Sequence, residues 1–444
     1  MADRTFGVYT LGCKVNQYET EAVAELFEQA GYRQVPSTQK ADVYIINTCS
    51  VTGESDRKNR QIIRRAHRIN PEAVIAVMGC YAQVSEEEVR AIDGVDIVIG
   101  TQGRSDLPRL VEERLEGKMA PGYIQENIIR SAEYERLTVR GLTEHQRAFV
   151  KIQDGCDRFC TYCIIPYARG HIRSRKREEI LEEIEELAEA GYREIVLTGI
   201  HLASYGRDLD EGLDLIDIAA EAAKVVGIER IRIGSLEPVF INEDKIRKLS
   251  QNAKLCRQFH IALQSGSDTV LERMKRRYTT ADYLAIVHMI KKYMPDSTFT
   301  TDLMVGFPGE TEAEFQESMA FAEAVGFSKI HIFPYSSRKG TPAAEMKGQI
   351  PKTVKMERAA LMAEVAARCE QKYLESINGT NEDVLLETRE ETEDGIFYTG
   401  HGKNYIKVYI PEMELMMEDE LINSVKHVKL SLQKGRIYGT INMT

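Results

Sequence analysis

The sequence predicts an α/β protein with three parts: an N-terminal parallel βαβ sheet domain, an open partial (β/α)6 barrel, and a small all-β barrel. Three observations support this fold class. The 444 residues correspond to about three domains of roughly 150 residues each. Two series of apolar, strand-like runs alternate with helical patterns, which is typical of parallel sheets. The C-terminal part instead shows short alternating runs broken by glycine and asparagine, as in small β-barrels.

The composition is that of a globular protein. Hydrophobic residues make up 43% and charged residues 29% of the chain, so neither a disordered nor a fibrous chain fits. The net charge of −11 does not favour a nucleic-acid coat, although local basic patches could still bind RNA. No run approaches the roughly 18 apolar residues of a membrane span, and the N-terminus lacks a signal-peptide core. We therefore expect a cytoplasmic protein without a membrane partner.

The N-terminal domain, residues 1–115, contains four strand-like runs. The first three end at Cys13, Cys49 and Cys80, about one βαβ unit apart. In open parallel sheets, ligands bind outside the carboxyl ends of the strands, so these three thiols should converge there. Taken singly, each could be a small buried hydrophobe, but three at corresponding strand ends make that reading unfavourable.

A polar connector, residues 116–146, separates this domain from a second alternation over 147–350. Six βα units are fewer than the eight of a complete TIM barrel, which predicts an open partial barrel whose reactive face is the carboxyl-end rim. Apolar residues at helical spacing predict a linker helix over 351–375. The remaining residues, 376–444, form the predicted β-barrel.

A C-x₃-C-x₂-C run, Cys156, Cys160 and Cys163, follows the first strand of the partial barrel. Three thiolates from one short loop can hold three irons of a [4Fe–4S] cluster and leave the fourth open to a chelating substrate. A structural zinc site is the alternative, but it requires four closed ligands. Only His171 is a nearby fourth candidate.

This run, with Tyr162 before its last cysteine, resembles the radical S-adenosylmethionine (SAM) enzymes, and the resemblance makes Tyr162 a candidate contact of that cofactor. Together with the N-terminal motifs TLGCKVNQYE, NTCSVT and MGCYAQ, it resembles the methylthiotransferases over nearly the whole chain. The resemblance implies a C-terminal TRAM-type barrel, SAM as cofactor, and two [4Fe–4S] clusters. One, on Cys156, Cys160 and Cys163, would split SAM to give a 5′-deoxyadenosyl radical. An auxiliary one, on the three N-terminal cysteines, would carry the sulfur that SAM methylates.

Further SAM contacts follow where motifs match. Thr198 and Gly199 would lie beside the SAM amino group, Ser235 and Glu237 could bond the ribose hydroxyls, and Gln264 ends the fourth strand-like run. All lie at predicted carboxyl ends, where barrel sites assemble. For Ser235 and Gln264, turn chemistry explains the residue equally well. Cys256 and Cys369 lack thiol neighbours in the sequence and are expected in the core.

Basic residues are concentrated near the cysteine motifs, in the segments 57–68, 158–177 and 273–277. This distribution favours a phosphate-bearing substrate. The candidate substrate contacts are Arg169, Arg173, Arg175, Arg273 and Arg276.

Within the family, TLGCKVNQYE, NTCSVT and LTGIHLASYG most resemble the threonylcarbamoyladenosine branch. The resemblance implies a tRNA methylthiotransferase acting at C2 of N6-threonylcarbamoyladenosine beside the anticodon (position 37). SAM would serve as both radical source and methyl donor. The implied partners are tRNA and an electron donor protein, and the sequence does not indicate an oligomeric state.

Three alternatives remain open. Residues 376–444 carry 12 acids and 7 bases, so this barrel either gathers its basic residues on one face or recognises something else, such as an aspartate of a ribosomal protein. The second alternative is a non-catalytic Fe–S or zinc module. The third is a radical-SAM reaction without sulfur insertion, which the three extra cysteines disfavour. The basic residues that would form such a face are Lys403, Lys407, Lys426, Lys429, Lys434 and Arg436.

Overall fold

The computed structural model describes residues 4–119, 122–124, 128–129, 131, 133–139, 146–412 and 421–441. Much of the predicted connector therefore lies outside the described residues. The strands in chain order are β1 (Thr5–Thr10), β2 (Arg33–Gln34), β3 (Val43–Thr48), β4 (Val74–Gly79), β5 (Ile97–Ile99), β6 (Gly122–Ile124), β7 (Arg147–Asp154), β8 (Arg173–Ser174), β9 (Glu194–Gly199), β10 (Arg230–Ile233), β11 (Gln258–His260), β12 (Thr298–Val305), β13 (Lys329–Pro334), β14 (Asn381–Thr392), β15 (Gly395–Gly402), β16 (Lys407–Pro411), β17 (Val425–Gln433) and β18 (Arg436–Ile441).

The α-helices lie between and after these strands, with three short 3₁₀ turns in addition. They are α1 (Lys14–Gln29), α2 (Gly53–Ile69), α3 (Cys80–Val84), α4 (Glu86–Arg90), α5 (Leu107–Leu115), α6 (Ile165–Arg169), α7 (Arg177–Glu189), α8 (Leu215–Ala222), α9 (Glu243–Ser250), α10 (Asp268–Arg273), α11 (Thr280–Tyr293), α12 (Glu312–Val325), α13 (Pro342–Glu345) and α14 (Lys352–Ile377). No helix in the described part of the chain is long and apolar enough to cross a membrane.

The N-terminal domain is a parallel sheet with strand order β2-β1-β3-β4-β5-β6. Alternate strand residues face two separate cores, because side chains along a strand point to opposite faces. Phe27 of α1 and Leu110 of α5 pack on one face, whereas Ile63 of α2 and Val89 of α4 pack on the other. The predicted βαβ sheet is confirmed. Its last strand, β6, lies inside the segment that the sequence predicted as connector.

Six parallel strands form the second domain. β7, β9 and β10 pair in one group and β11, β12 and β13 in another, and bridges from Ile231 to Leu255 and from Leu236 to Ile261 join the groups. Within the described residues β13 pairs only with β12, so the barrel is open at that edge. The predicted open (β/α)6 barrel is confirmed. The short antiparallel strand β8, beside β7, was not predicted.

The C-terminal part is a closed five-stranded barrel with order β14-β15-β16-β18-β17. The linker helix α14 precedes it and packs Met362 and Val365 into the core of the partial barrel. Cys369 of the same helix and Cys256 are both buried, as predicted. The chain thus places a small β-barrel directly against the larger α/β unit.

Candidate active site

Cys13, Cys49 and Cys80 lie together at the carboxyl edge of the N-terminal sheet. Cys13 caps α1, Cys49 follows β3, and Cys80 opens α3 directly after β4. Because β1, β3 and β4 are neighbouring parallel strands, their ends meet at one edge of the sheet. Cys49 and Cys80 are buried, whereas Cys13 is exposed. The group of thiols is therefore open to solvent on the side of Cys13.

Backbone contacts hold these cysteines in place. The Asn16 side-chain amide donates to the Thr48 carbonyl at 3.0 Å, and the Asn59 amide donates to the Cys49 carbonyl at 2.7 Å. Gly12 has φ of +112°, and a Cβ there would lie 2.8 Å from the Cys49 Cβ. Only glycine fits at that position, because both the conformation and the space exclude a side chain. Asn16 was not among the predicted site residues, although it follows a strand-end cysteine closely.

Burial sets the acidity of the inner thiols. It raises the pKa of Cys80 to about 12 and also raises the pKa of Cys49. A buried thiol ionises readily only beside a positive charge or a metal ion. Cys80 has such a neighbour, since the Arg169 Nε–H donates to its sulfur at 3.3 Å.

Cys156, Cys160 and Cys163 lie on the loop between β7 and α6. Gly155, just before the run, has φ of +70°, and a Cβ there would come within 1.8 Å of the His171 carbonyl oxygen. Only glycine therefore fits at this position, where the chain turns from β7 into the loop. Burial raises the pKa of Cys156 to about 11 and of Cys163 to about 12. These thiols, too, need a metal to become thiolates at neutral pH.

The middle of this loop is anchored to the opposite side of the barrel. The Thr161 N–H donates to the Met274 carbonyl at 3.2 Å, and the Ala343 N–H donates to the Thr161 carbonyl at 2.8 Å. Tyr162 packs against an apolar cluster that includes Phe307. The structure thus gives Tyr162 a packing role that fixes the loop, and the predicted cofactor contact of its ring stays a prediction.

Glu237 is a highly connected acid beside this loop. It lies 3.1 Å from the His201 Nε2, 2.5 Å from an Arg158 nitrogen and 3.6 Å from an Arg276 nitrogen. Burial alone would raise its pKa, but the His201 hydrogen bond and the two arginine charges outweigh burial and lower the pKa to about 2. Arg276 also donates to the Cys160 sulfur at 3.5 Å. These contacts join Glu237 to the cysteine loop.

The other predicted SAM contacts lie along the same rim. Thr198 is buried and Gly199 follows it at the end of β9, whereas Ser235 is exposed beyond β10. Gln264 has φ of +67°, a conformation that is uncommon outside glycine, and its N–H donates to the Asp302 carbonyl at 2.9 Å. Their contacts to SAM stay predictions. His201 and Arg158 were not predicted as site residues. Each follows the carboxyl end of a strand, and this position is the signal that could have identified them.

Arg169 does not present its guanidinium to a substrate phosphate. It is fully buried between the two domains and bonds Glu19 of α1 at 2.7 and 2.9 Å. It also donates to Asp154 at 3.1 Å and to Asn16 at 2.9 Å, besides the Cys80 sulfur. The prediction of a phosphate contact is therefore corrected, because the protein itself neutralises this charge.

Arg173 and Arg175 require the same correction, because both are buried. Arg173 donates to the Arg169 carbonyl at 2.9 Å, and Arg175 forms an ion pair with Glu183 of α7. The basic segment of the sequence does not show which acidic residues, from elsewhere in the fold, pair with its arginines.

Arg273 and Arg276 differ in exposure. Arg273 is partly exposed and is held by Glu314 in a bidentate pair at 2.9 Å, and its contact to a substrate phosphate stays a prediction. Arg276 is mostly buried and contacts Glu237 and Cys160. Its position corrects the prediction of an RNA contact and makes it a neighbour of the cysteine loop instead.

The C-terminal barrel, over its described residues, does not gather free basic residues on one face. Most of its predicted basic strip pairs with acids of the barrel itself, which neutralises the charge locally. The pairs are Lys403 with Asp383, Lys407 with Glu390, and Lys434 and Arg436 with Asp394.

Each group contains three thiols, and the thiolates of a [4Fe–4S] cluster each bind a different iron. A structural zinc ion would need a fourth ligand. His171 does not complete a zinc site, because it is exposed and bonds Asp157 at 2.5 Å.

Comparisons with known proteins agree with this fold. Residues 150–322 match the radical SAM superfamily, and residues 5–100 match the uncharacterized protein family UPF0004. The threonylcarbamoyladenosine tRNA methylthiotransferase MtaB of Bacillus subtilis is 43% identical over 98% of this chain and 95% of its own length. The tRNA-2-methylthio-N(6)-dimethylallyladenosine synthase of Carboxydothermus hydrogenoformans is 34% identical over 99% of this chain and 98% of its own.

A solved structure supports the fold alone. The radical SAM methyltransferase TsrM from Kitasatospora setae superposes with a TM-score of 0.57 at 14% identity, covering 78% of this chain and 77% of that one. The partial barrel with its three-cysteine loop defines a radical SAM enzyme, a class that uses a [4Fe–4S] cluster and SAM. Within that class, the chain belongs to the methylthiotransferase family, whose members are sulfur-inserting transferases.

Proposed function

We propose that this protein is a tRNA methylthiotransferase that places a methylthio group on C2 of N6-threonylcarbamoyladenosine beside the anticodon (position 37). One observation carries the proposal: the short helix that follows the Cys156 loop carries a buried arginine that contacts the other group of three cysteines. Arg169 belongs to α6, which follows the Cys156 loop, and it bonds the sulfur of Cys80. The relatives named for this substrate support the choice.

In this proposal the protein holds two [4Fe–4S] clusters. Cys156, Cys160 and Cys163 hold the one that binds SAM, and Cys13, Cys49 and Cys80 hold the auxiliary one. When bound, these groups supply the radical that activates an unreactive C–H and the sulfur that replaces the hydrogen. Each set has three thiols, so each cluster keeps one iron free of protein ligands.

The chain's own residues orient and shield these groups. Arg169 and Arg276 each direct an N–H at a cysteine sulfur, and hydrogen bonds to sulfur are among the features that set cluster potentials. Glu237 keeps its negative charge at neutral pH, because its pKa lies at about 2, and it fixes His201 and Arg158 at the rim.

The test uses the anaerobically reconstituted enzyme with SAM, a reductant and tRNA bearing either modified adenosine, followed by mass spectrometry of the nucleosides. We expect 2-methylthio-N6-threonylcarbamoyladenosine only with the threonylcarbamoyl tRNA. The Cys80→Ala variant should still cleave SAM but form no product, and Cys163→Ala should do neither. Product from the isopentenyl tRNA alone would reject the substrate, and equal loss of SAM cleavage in a folded Cys80→Ala variant would reject the two-cluster assignment.

Two alternatives are separated by the same assay. Methylthiolation of a ribosomal-protein aspartate predicts a modified peptide and an unchanged tRNA. A non-catalytic module predicts no reductive SAM cleavage by the reconstituted wild type.

A further inference from the structure

The outer face of α2 carries an exposed basic strip, which we define as Lys58, Arg64, Arg65 and Arg68. At 3.6 residues per turn these side chains fall within about 120° of the helix circumference, and all four are exposed. The opposite face of the helix is buried in the N-terminal core through Ile63 and Ala66. The strip is therefore a solvent-facing surface, with no part in the packing of the domain.

The acids on α2 do not neutralise this strip. Glu54 pairs with Arg57, and Asp56 pairs with Arg338 of the partial-barrel domain at 2.7 Å; both acids lie in the first turn. No carboxylate of the described residues forms an ion pair with the three arginines of the strip. In a chain with a net charge of −11, such a surplus of positive charge is a local exception.

A groove accompanies the strip along the second half of α2. It is open, has a volume of about 710 Å³, and is lined by the three strip arginines together with Gln61, Ile62, His67 and Asp93. Asp93 is the one acid of this lining, and it lies 3.8 Å from His67. The groove is concave and has basic residues on one side, so its shape and charge are complementary to an anionic backbone.

The strip starts near the cysteines and leads away from them. The Gly53 N–H, at the start of α2, donates to the Ser336 hydroxyl beyond β13 at 3.0 Å, and Arg338 donates to the Ser50 hydroxyl, next to Cys49, at 2.8 Å. The 17 residues of α2 then span about 25 Å. If one end of a long anionic molecule lies at the cysteines, the rest of that molecule can lie along α2.

We propose that the basic strip binds the phosphate backbone of the RNA stem next to the reacting nucleotide. This assignment rests on the proposed function, since it takes tRNA as the substrate. Arginine guanidinium groups bind phosphate with paired donors. The strip carries no aromatic side chain on which a base could stack. Its contacts therefore position the RNA and do not read the base sequence. RNA helices are recognised in this way, through their shape and backbone.

The test compares the double variant Arg64→Glu/Arg68→Glu with a matched control, Lys224→Glu/Lys291→Glu. The control changes the net charge equally at two exposed lysines on the outer layer of the partial barrel. For the strip variant we expect a loss of tRNA affinity of roughly ten-fold or more. The slope of log affinity against log salt concentration should also become smaller by about two, because each lost phosphate contact lowers that slope by about one. The control should retain the wild-type affinity and salt slope.

Each outcome decides one claim. Both variants should keep the iron content and tRNA-independent SAM cleavage of the wild type, which verifies that they fold. An unchanged affinity and salt slope in the strip variant would overturn the strip assignment while leaving the tRNA function intact. If instead the variant lost binding to an acidic protein but not to tRNA, the strip would be a protein-docking surface and the proposal wrong. A wild-type enzyme that neither binds nor modifies tRNA would reject the proposed function itself.

Discussion

At the scale of single residues, a network of charges buried between the domains contacts the N-terminal group of cysteines through Arg169 and Cys80. Arg169 compensates two buried carboxylates, Glu19 and Asp154, and Lys151 bonds the same pair at 2.7 and 2.6 Å. Burial alone would raise the pKa of Glu19, but the charges of Arg104, Arg169 and Lys151 outweigh burial and hold that pKa well below its usual range. Both carboxylates therefore stay ionised at neutral pH and depend on their cations.

Arg169→Met should destabilise the protein strongly. Lys151 and Arg104 would still pair with these carboxylates, but Glu19 and Asp154 would lose the hydrogen bonds that Arg169 donates, and breaking a buried ion pair costs about 3–5 kcal/mol. The control Arg136→Met breaks an exposed pair with Glu182 and should cost at most about 1 kcal/mol. Denaturant unfolding of both variants measures the difference. Equal effects in the two variants would show that the buried network contributes no more than a surface pair.

The sequence predicted that Cys13, Cys49 and Cys80 meet at one edge of the sheet, but it assigned several arginines wrongly. Cysteines at strand ends are informative, because the fold brings strand ends together. The role of an arginine depends on which acids fold against it, and Arg175 meets Glu183 of the next helix while Arg169 meets Glu19 from another domain. Spacing along the chain does not contain that information.

At the scale of elements, apolar runs predicted strands well, whereas the two-residue strands were not predicted. The runs that became β3, β4, β9 and β12 have six or eight residues, enough for a pattern to be visible. β2 and β8 have two residues each, and only their partners in the sheet define them.

Gly155→Ala should disrupt the Cys156 loop. Alanine at φ of +70° is strained, and its Cβ would overlap the His171 carbonyl oxygen at 1.8 Å. Gly117→Ala is a matched control, because Gly117 has φ of +71° but a Cβ added there would meet no atom within 4 Å. The control should lose only about 1 kcal/mol. Gly155→Ala should in addition bind less iron. The iron content is measured after reconstitution of both glycine variants in a Cys13→Ala/Cys49→Ala/Cys80→Ala background, so that only the Cys156 loop can hold a cluster. Equal iron contents in the two variants would refute the steric argument.

At the scale of the whole molecule, the β-barrel docks on the amino ends of the partial-barrel strands. Arg230 donates to the His401 carbonyl at 3.0 Å, and Arg232 donates to the Gly402 carbonyl at 3.2 Å. Tyr405 stacks near Arg232, with 4.7 Å from the guanidinium to the ring centre. This contact lies at the opposite end of the strands from the Cys156 loop, so the acidic charge of the barrel is kept away from the cysteine rim.

Glu194 holds the two docking arginines, and Glu194→Gln should loosen the barrel. Its carboxylate lies 2.8 Å from both Arg230 and Arg232. Burial alone would raise its pKa, but the two arginine charges outweigh burial and lower the pKa to about 2. Because this folded value lies below the usual value of about 4.3, the ion pairs stabilise the protein fully above about pH 4.5 and lose that contribution only as the pH falls towards 2.

At neutral pH the glutamine variant therefore removes a charge that the wild type always carries and leaves two buried arginines facing each other. We expect faster amide hydrogen exchange in residues 402–405, which lie at the turn from β15 to β16 and include docked carbonyls. The control Glu323→Gln breaks an exposed pair with Arg368 on α14 and should leave exchange in that turn unchanged. Equal exchange in wild type and Glu194→Gln would mean that apolar packing and the remaining hydrogen bonds suffice to dock the barrel, and that the buried charges serve another purpose.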